Sequence, residues 1–113
     1  MVTGPASATT YAATDTLAAH VGWTEFSGYS GSRKAMVFGT PTTAAPSVID
    51  NTASPASFSI TSTAVIAGAF VCTVASGTSG ILFSEADFQS PGDRSVVSGD
   101  VLNVSYTFSL NAA

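Results

Sequence analysis

The chain has 113 residues, 45% of them hydrophobic and only 9% charged, enough for one hydrophobic core and too few for two. Its net charge of -4 includes just three basic residues, Arg33, Lys34 and Arg94, too few to build the cationic face that nucleic-acid binding requires. The single cysteine, Cys72, leaves no internal disulfide, and no apolar run approaches the roughly eighteen residues of a membrane span.

The start, MVTGPASATT, is rich in Ser, Thr and Ala around a Gly-Pro pair and reads as an extended arm. It has neither the basic n-region nor the apolar h-region of a signal peptide, so synthesis in a cytoplasm is expected. The expected organisation is an arm over residues 1–13 and a single β domain over 14–113. Residues 15–21 are the one candidate helix, with Thr14 as its cap, Leu17, Ala18 and Val21 on one face, and Gly22 at its end. Trp23, Phe26 and Tyr29 follow at three-residue spacing, but Gly28 and Gly31 argue for a loop or bulged strand there.

Residues 34–38 read as a short strand stopped by Gly39-Thr40-Pro41, and 47–49 and 57–61 as two more, separated by a turn at Asp50-Asn51. Residues 64–74, AVIAGAFVCTV, are apolar on both faces, which suits a central strand covered on both sides. A buried helix of the same length competes with that reading, but the Val, Ile and Phe content and Gly68 favour the strand. Cys72 lies inside it and is expected to be a buried, reduced thiol. A turn at 76–80 leads to a strand from 81–83, with Phe88 continuing its pattern, and a turn at 90–93 leads to one at 95–97.

The last strand, 101–110, has the clearest alternation. Leu102, Val104, Tyr106, Phe108 and Leu110 share one face, and Asn103, Ser105, Thr107 and Ser109 the other. Tyr106 and Phe108 are expected in the core, and Ser105 and Thr107 outside it. About eight short strands with a turn every eight to twelve residues predict an all-β fold, a jelly-roll-like β-sandwich of antiparallel strands with at most one short helix.

Chemistry is sparse. His20 is the sole histidine and Cys72 the sole thiol, so neither can belong to a paired-ligand metal centre. Glu85 and Asp87 share a strand face but sit beside one another, where hydrolysis needs carboxyls across a cleft. Asp50, Asp93 and Asp100 lie in turns, where Asp caps its own backbone; a calcium site built from such loops is the competing reading. No catalytic, cofactor-binding or metal-binding residue is therefore assigned. Trp23, Phe26 and Tyr29 read as core or interface anchors in preference to sugar-stacking platforms. The low charge, against about 25% in an ordinary domain, suits a surface covered by neighbours, or a neutral polar surface of small residues.

Two segments, TDTLAAHVGWTEFSGYSGSRKAMVFGTP (14–41) and SPGDRSVVSGDVLNVSYTFSL (90–110), resemble a family of small virion proteins of tailed bacteriophages. The shared features are a WTEF-x-GYSG element before an Arg-led strand, a G-x-F strand at Gly68-Ala69-Phe70, and a closing GD-x-L-x-V strand. Within that group the chain is similar to capsid cement, or decoration, proteins, which commonly fold as jelly rolls and sit as trimers on the shell. The resemblance implies a non-enzymatic protein on the capsid surface of the virion, made in the host bacterial cytoplasm. Its partners would be the major capsid protein and further copies of itself as a homotrimer. Trp23, Phe26, Tyr29, Arg33 and Arg94 are the expected interface residues. The alternative is a tail or head-fibre component whose β domain binds host glycan through Trp23 and Tyr29. This chain departs from the pattern at its start, where an arm stands in place of an apolar first strand.

Overall fold

The computed structural model describes residues 2–3, 11–88 and 92–110. They form nine antiparallel strands and no helix: β1 Val2–Thr3, β2 Thr24–Glu25, β3 Ser47–Asp50, β4 Ala56–Ser59, β5 Ala64–Cys72, β6 Leu82–Asp87, β7 Arg94–Val96, β8 Val101–Val104 and β9 Thr107–Leu110. Two layers result, with the chain's longest strand, β5, at the centre of one. On one edge β5 meets β1, through Val2↔Gly68 and Thr3↔Ile66, and β1 in turn meets β2. The other edge is shared end to end by β6 and β7, through Gly68↔Asp87 and Ile66↔Arg94.

The second layer is one long antiparallel ribbon interrupted in the middle. Its halves, β4–β8 and β3–β9, end at Ala56↔Val104 and Asp50↔Thr107, so residues 51–55 bulge opposite Ser105 and Tyr106. Asn51 closes this gap from a buried position, only 1% exposed. Its amide N–H donates to the Tyr106 carbonyl at 3.3 Å, its Nδ2 donates to the Val104 carbonyl at 3.3 Å, and its Oδ1 accepts the Tyr106 N–H at 2.7 Å. The side chain thus replaces ladder bonds that the bulge removes.

The layers meet through Phe26, Tyr29, Phe58, Ile60, Ile66 and Val96, with Leu102, Val104 and Phe88 packed against them. A second, smaller cluster of Trp23 and Ala67, with Tyr11, Phe70 and Leu82 around it, also packs on β5. Ile66 and Ala67, successive residues on opposite faces of the strand, are both completely buried. The doubly apolar sequence of 64–74 is therefore a central strand covered on both sides, and burying Ile66 alone contributes about 1.5–3 kcal/mol. At Gly68 a Cβ would collide with the carbonyl oxygen of Ala86 and lie 2.8 Å from Asp87 Cα, so β6 can approach only a glycine.

Several expectations fail for local reasons. Residues 15–21 form turns, not a helix. The Asp15 Oδ2 accepts the Ala12 N–H at 3.1 Å and the Thr16 Oγ1 accepts the Ala19 N–H at 3.1 Å. Such side chains offer the backbone a competing arrangement, and two turns of helix do not repay nucleation. Leu17 is buried while Val21 is fully exposed, so the proposed apolar face does not exist.

Residues 34–38 form no strand either. The following chain bonds the edge of β3 only at Gly39 and Thr42, and Pro41 between them has no N–H with which to complete a ladder. Val2–Thr3, read as part of an arm, are a strand between β2 and β5; residues 4–10 lie outside the described residues, as do residues 90 and 91 of the 90–93 turn. Cys72 is half-buried, its thiol donating to the Val74 carbonyl at 3.2 Å. In the final strand Leu102 and Val104 pack in the core, Tyr106 is half-buried, and Phe108 and Leu110 are exposed. The core does not extend beneath β9.

Candidate interaction surface

Four of the five residues expected at an interface are used inside the chain. Trp23, Phe26 and Tyr29 are each less than a tenth exposed. Trp23 stacks on His20 at 3.7 Å between ring centroids and tilts against Phe70 at 5.0 Å, while Tyr29 meets Phe58 edge-on at 4.8 Å. These rings are core anchors, with no free face for a neighbour or a sugar. Arg33 forms a two-pronged ion pair with Glu25, Nε to Oε1 at 2.8 Å and Nη2 to Oε2 at 2.7 Å. Its Nη1 donates to the carbonyls of Val74 and Gly77, and its guanidinium lies 5.4 Å from the Phe70 ring centroid. It fastens the 74–77 turn to β2. Arg94 alone of the five is exposed.

The two strand carboxylates act as tethers for the N-terminal loops. The Trp23 indole N–H donates to Glu85 at 2.7 Å, and the Tyr11 hydroxyl donates to Asp87 at 2.6 Å. Burial, then a hydrogen bond with Asp15, holds the Glu85 carboxyl above its ordinary range, while the Ala12 N–H holds Asp15 below it. Burial and the Asp87 partner push the Tyr11 phenol well up. Asp50 caps Thr52, and Asp100 accepts the Val97 N–H, as turn aspartates do. Among the described residues no three His, Cys, Asp or Glu side chains gather as metal ligands. A cleft of about 350 Å³ between the layers is walled by Met36, Phe58, Phe70, Ala86, Val104 and Tyr106. Its charged rim groups are already bonded, Lys34 to the Ser30 carbonyl and Asp87 to Tyr11, so it gathers no reactive set.

What the surface does present is an uncharged apolar seam where the two layers come together. Ile81, Phe83, Phe108 and Leu110 are 69%, 59%, 41% and 65% exposed, and the rings of Phe83 and Phe108 meet across the seam at 6.2 Å. No charged residue occurs between Lys34 and Glu85, apart from Asp50, or between Asp100 and Leu110. The sequence reading missed this patch because alternation in 101–110 marks a face as apolar without saying what lies opposite. The readable signal was the absence of charge and proline from an end strand.

Among the described residues the backbone beside the seam is unpaired as well. The Asp50 and Val48 carbonyls accept from Gly39 and Thr42, and the Ser59 carbonyl from Ser30, all on the far side of the ribbon. Their partners Thr107, Ser109 and Val101 therefore occupy non-hydrogen-bonded pairs and aim their own N–H and C=O groups outward. Val104 and Tyr106 point inward to Asn51, so Asn103 and Ser105 complete the outward row. Among the described residues no other strand pairs with this edge.

No protein-family model matches the chain, and neither a curated protein nor a solved structure matches it.

Proposed function

We propose that this protein is a non-enzymatic virion component of a tailed bacteriophage, a cement protein that bridges major-capsid subunits on the outside of the head. The observation that carries the reading is the seam: four large apolar side chains stand exposed in a chain with ten charged residues in all. Contiguous exposed apolar surface marks contact sites, and burying it is worth about 25 cal/mol per Å². One such contact is modest, but its repetition around a shell opposes the outward push of packaged DNA many times over. The resemblance of segments 14–41 and 90–110 to phage virion proteins supports the choice of partner. The glycan-binding alternative loses its stacking platforms, since Trp23 and Tyr29 are buried.

The test uses particles assembled with the wild-type protein or with the Phe83→Asp variant, heated while genome release is followed. Phe83 is exposed, so the variant keeps its fold, checked by circular dichroism, and is expected to leave the capsid and lower the release temperature. Full occupancy and an unchanged release temperature would remove the seam from the mechanism. Intact particles that fail only to adsorb to cells would replace cement with a fibre role.

A further inference from the structure

We propose that the bare edge of β8 and β9 is a self-association site: two copies of this chain pair their Val101 to Ser109 edges antiparallel about a twofold axis, joining their second layers into one sheet. The inference goes beyond the capsid reading and does not depend on it. It differs from the threefold arrangement that the resemblance implies.

Three features lead there. The first is the outward row itself. Val101, Asn103, Ser105, Thr107 and Ser109 aim both backbone groups away from β3 and β4, toward no strand among the described residues, and their side chains are all exposed. A free edge in a soluble protein is normally blunted by Lys, Pro, a bulge on the edge or an inward charge. This one carries none of these.

The second is charge. A twofold antiparallel pairing sets each residue against a residue of the same segment, so any charge near the centre would meet its own copy. The segment contains no charged residue. With Ser105 opposite its own copy, Asn103 faces Thr107 and Val101 faces Ser109, which joins outward row to outward row over the full length. The flanking Asp100 residues then fall at opposite ends of the ribbon, about 34 Å apart and well beyond the Debye length. A second copy is thus a partner of matched length, matched charge and matched backbone phase.

The third is closure. Pairing consumes the β8–β9 edges of both copies at once, as an isologous interface does. It also brings the second copy alongside the exposed Phe108 and Leu110. Phe83 on β6, and Ile81 just before that strand, remain free to contact a different protein.

The experiment is sedimentation equilibrium of the purified full chain between roughly 1 μM and 1 mM, the range in which small interfaces associate. The wild type is expected to form dimers at the upper end. Ser105→Glu places two negative charges face to face at the axis and is expected to weaken dimerisation about tenfold or more. Mixing Ser105→Glu with Ser105→Lys should restore a mixed dimer, which only pairing of these two edges explains. Thr107→Pro removes an outward N–H that no internal bond uses and should give a monomer; if it fails to fold, the charge pair still decides the matter. Amide exchange should slow at Thr107 and Ser109 as concentration rises. A wild type that stays monomeric throughout, or dimers indifferent to both charge variants, would overturn the proposal. Dimers that form normally but do not attach to capsids would overturn the cement reading and leave this one intact.

Discussion

The β4–β8 and β3–β9 halves of the second layer are the same kind of object, four-residue antiparallel ladders built from one alternating strand pair. Phe58 and Leu102 in the first lie in the core, whereas Phe108 and Leu110 in the second stand in solvent. Nothing in their own patterns distinguishes them. The difference is what faces them: β5 and β7 supply Ile66 and Val96 to the first half, while in the second Phe108 meets the exposed Phe83 of β6. A period of two says which side chains share a face, and the opposite layer decides whether that face is interior or contact surface.

The contrast can be broken at its strong end first. Phe58→Ala should cost about 3–5 kcal/mol, since it opens a cavity between Tyr29, Ile60 and Ile66, measured by urea unfolding. Next comes the joint between the halves. Asn51→Ala strands the Tyr106 N–H and the Val104 carbonyl at a buried break, and should cost about 2–4 kcal/mol. Asn51→Asp should cost at least as much, because it loses the Nδ2 donor and buries a charge. If both variants matched the wild type, the two ladders would be independent of the Asn51 closure.

At the weak end Phe108→Ala should cost under about 1 kcal/mol in the monomer, less than a third of the Phe58 effect. An equal loss from the two would place Phe108 in the core and dismantle the seam. The smallest effect is electrostatic. The folded Glu85 carboxyl holds its proton at pH values where the unfolded one has lost it, so the native state binds more protons in that window. Glu85 therefore costs stability as pH rises from the unfolded value, about 4.3, through the raised folded one. Asp15 contributes the opposite sign at lower pH, its stabilisation lost as pH falls through its depressed value. Glu85→Gln keeps an acceptor for the Trp23 indole and a donor for Asp15. It should flatten the decline above about pH 4.3, by a few tenths of a kcal/mol because the pair is partly solvated. A thermal melting series against pH checks this.

Much of the architecture was legible. The doubly apolar run at 64–74 reads as a central strand in preference to a buried helix, and residues 64–72 form it, while the turns at 76–80 and 98–100 carry Gly77 and Gly99 at φ 75° and 100°. The aromatics at 23, 26 and 29 were read as anchors, and they are, within this chain's own core. The failures have a common physics. Residues 15–21 lost their helix to side chains that bond the backbone locally, and the chain bonds β3 only from Gly39 onward, past residues 34–38. The Asn51 bridge joins residues more than fifty positions apart in sequence, where no periodicity reaches. The seam was hidden for the same reason, since its apolar character was plain and its lack of a cover was not.

The placement of β1 between β2 and β5 has a consequence for how the molecule comes to be made. Val2 is made well before its partner Gly68, and Asp50 well before Thr107. The second layer cannot close until Val101–Val104 and Thr107–Leu110 have been made, so its ladders form long after β3 and β4 appear. Pairings this distant in sequence fold slowly, because the loop must close before any contact rewards it. During that interval β5, the most apolar stretch of the chain, is uncovered. Low temperature or a chaperone during expression should therefore raise the yield of soluble protein more than any change to the finished surface.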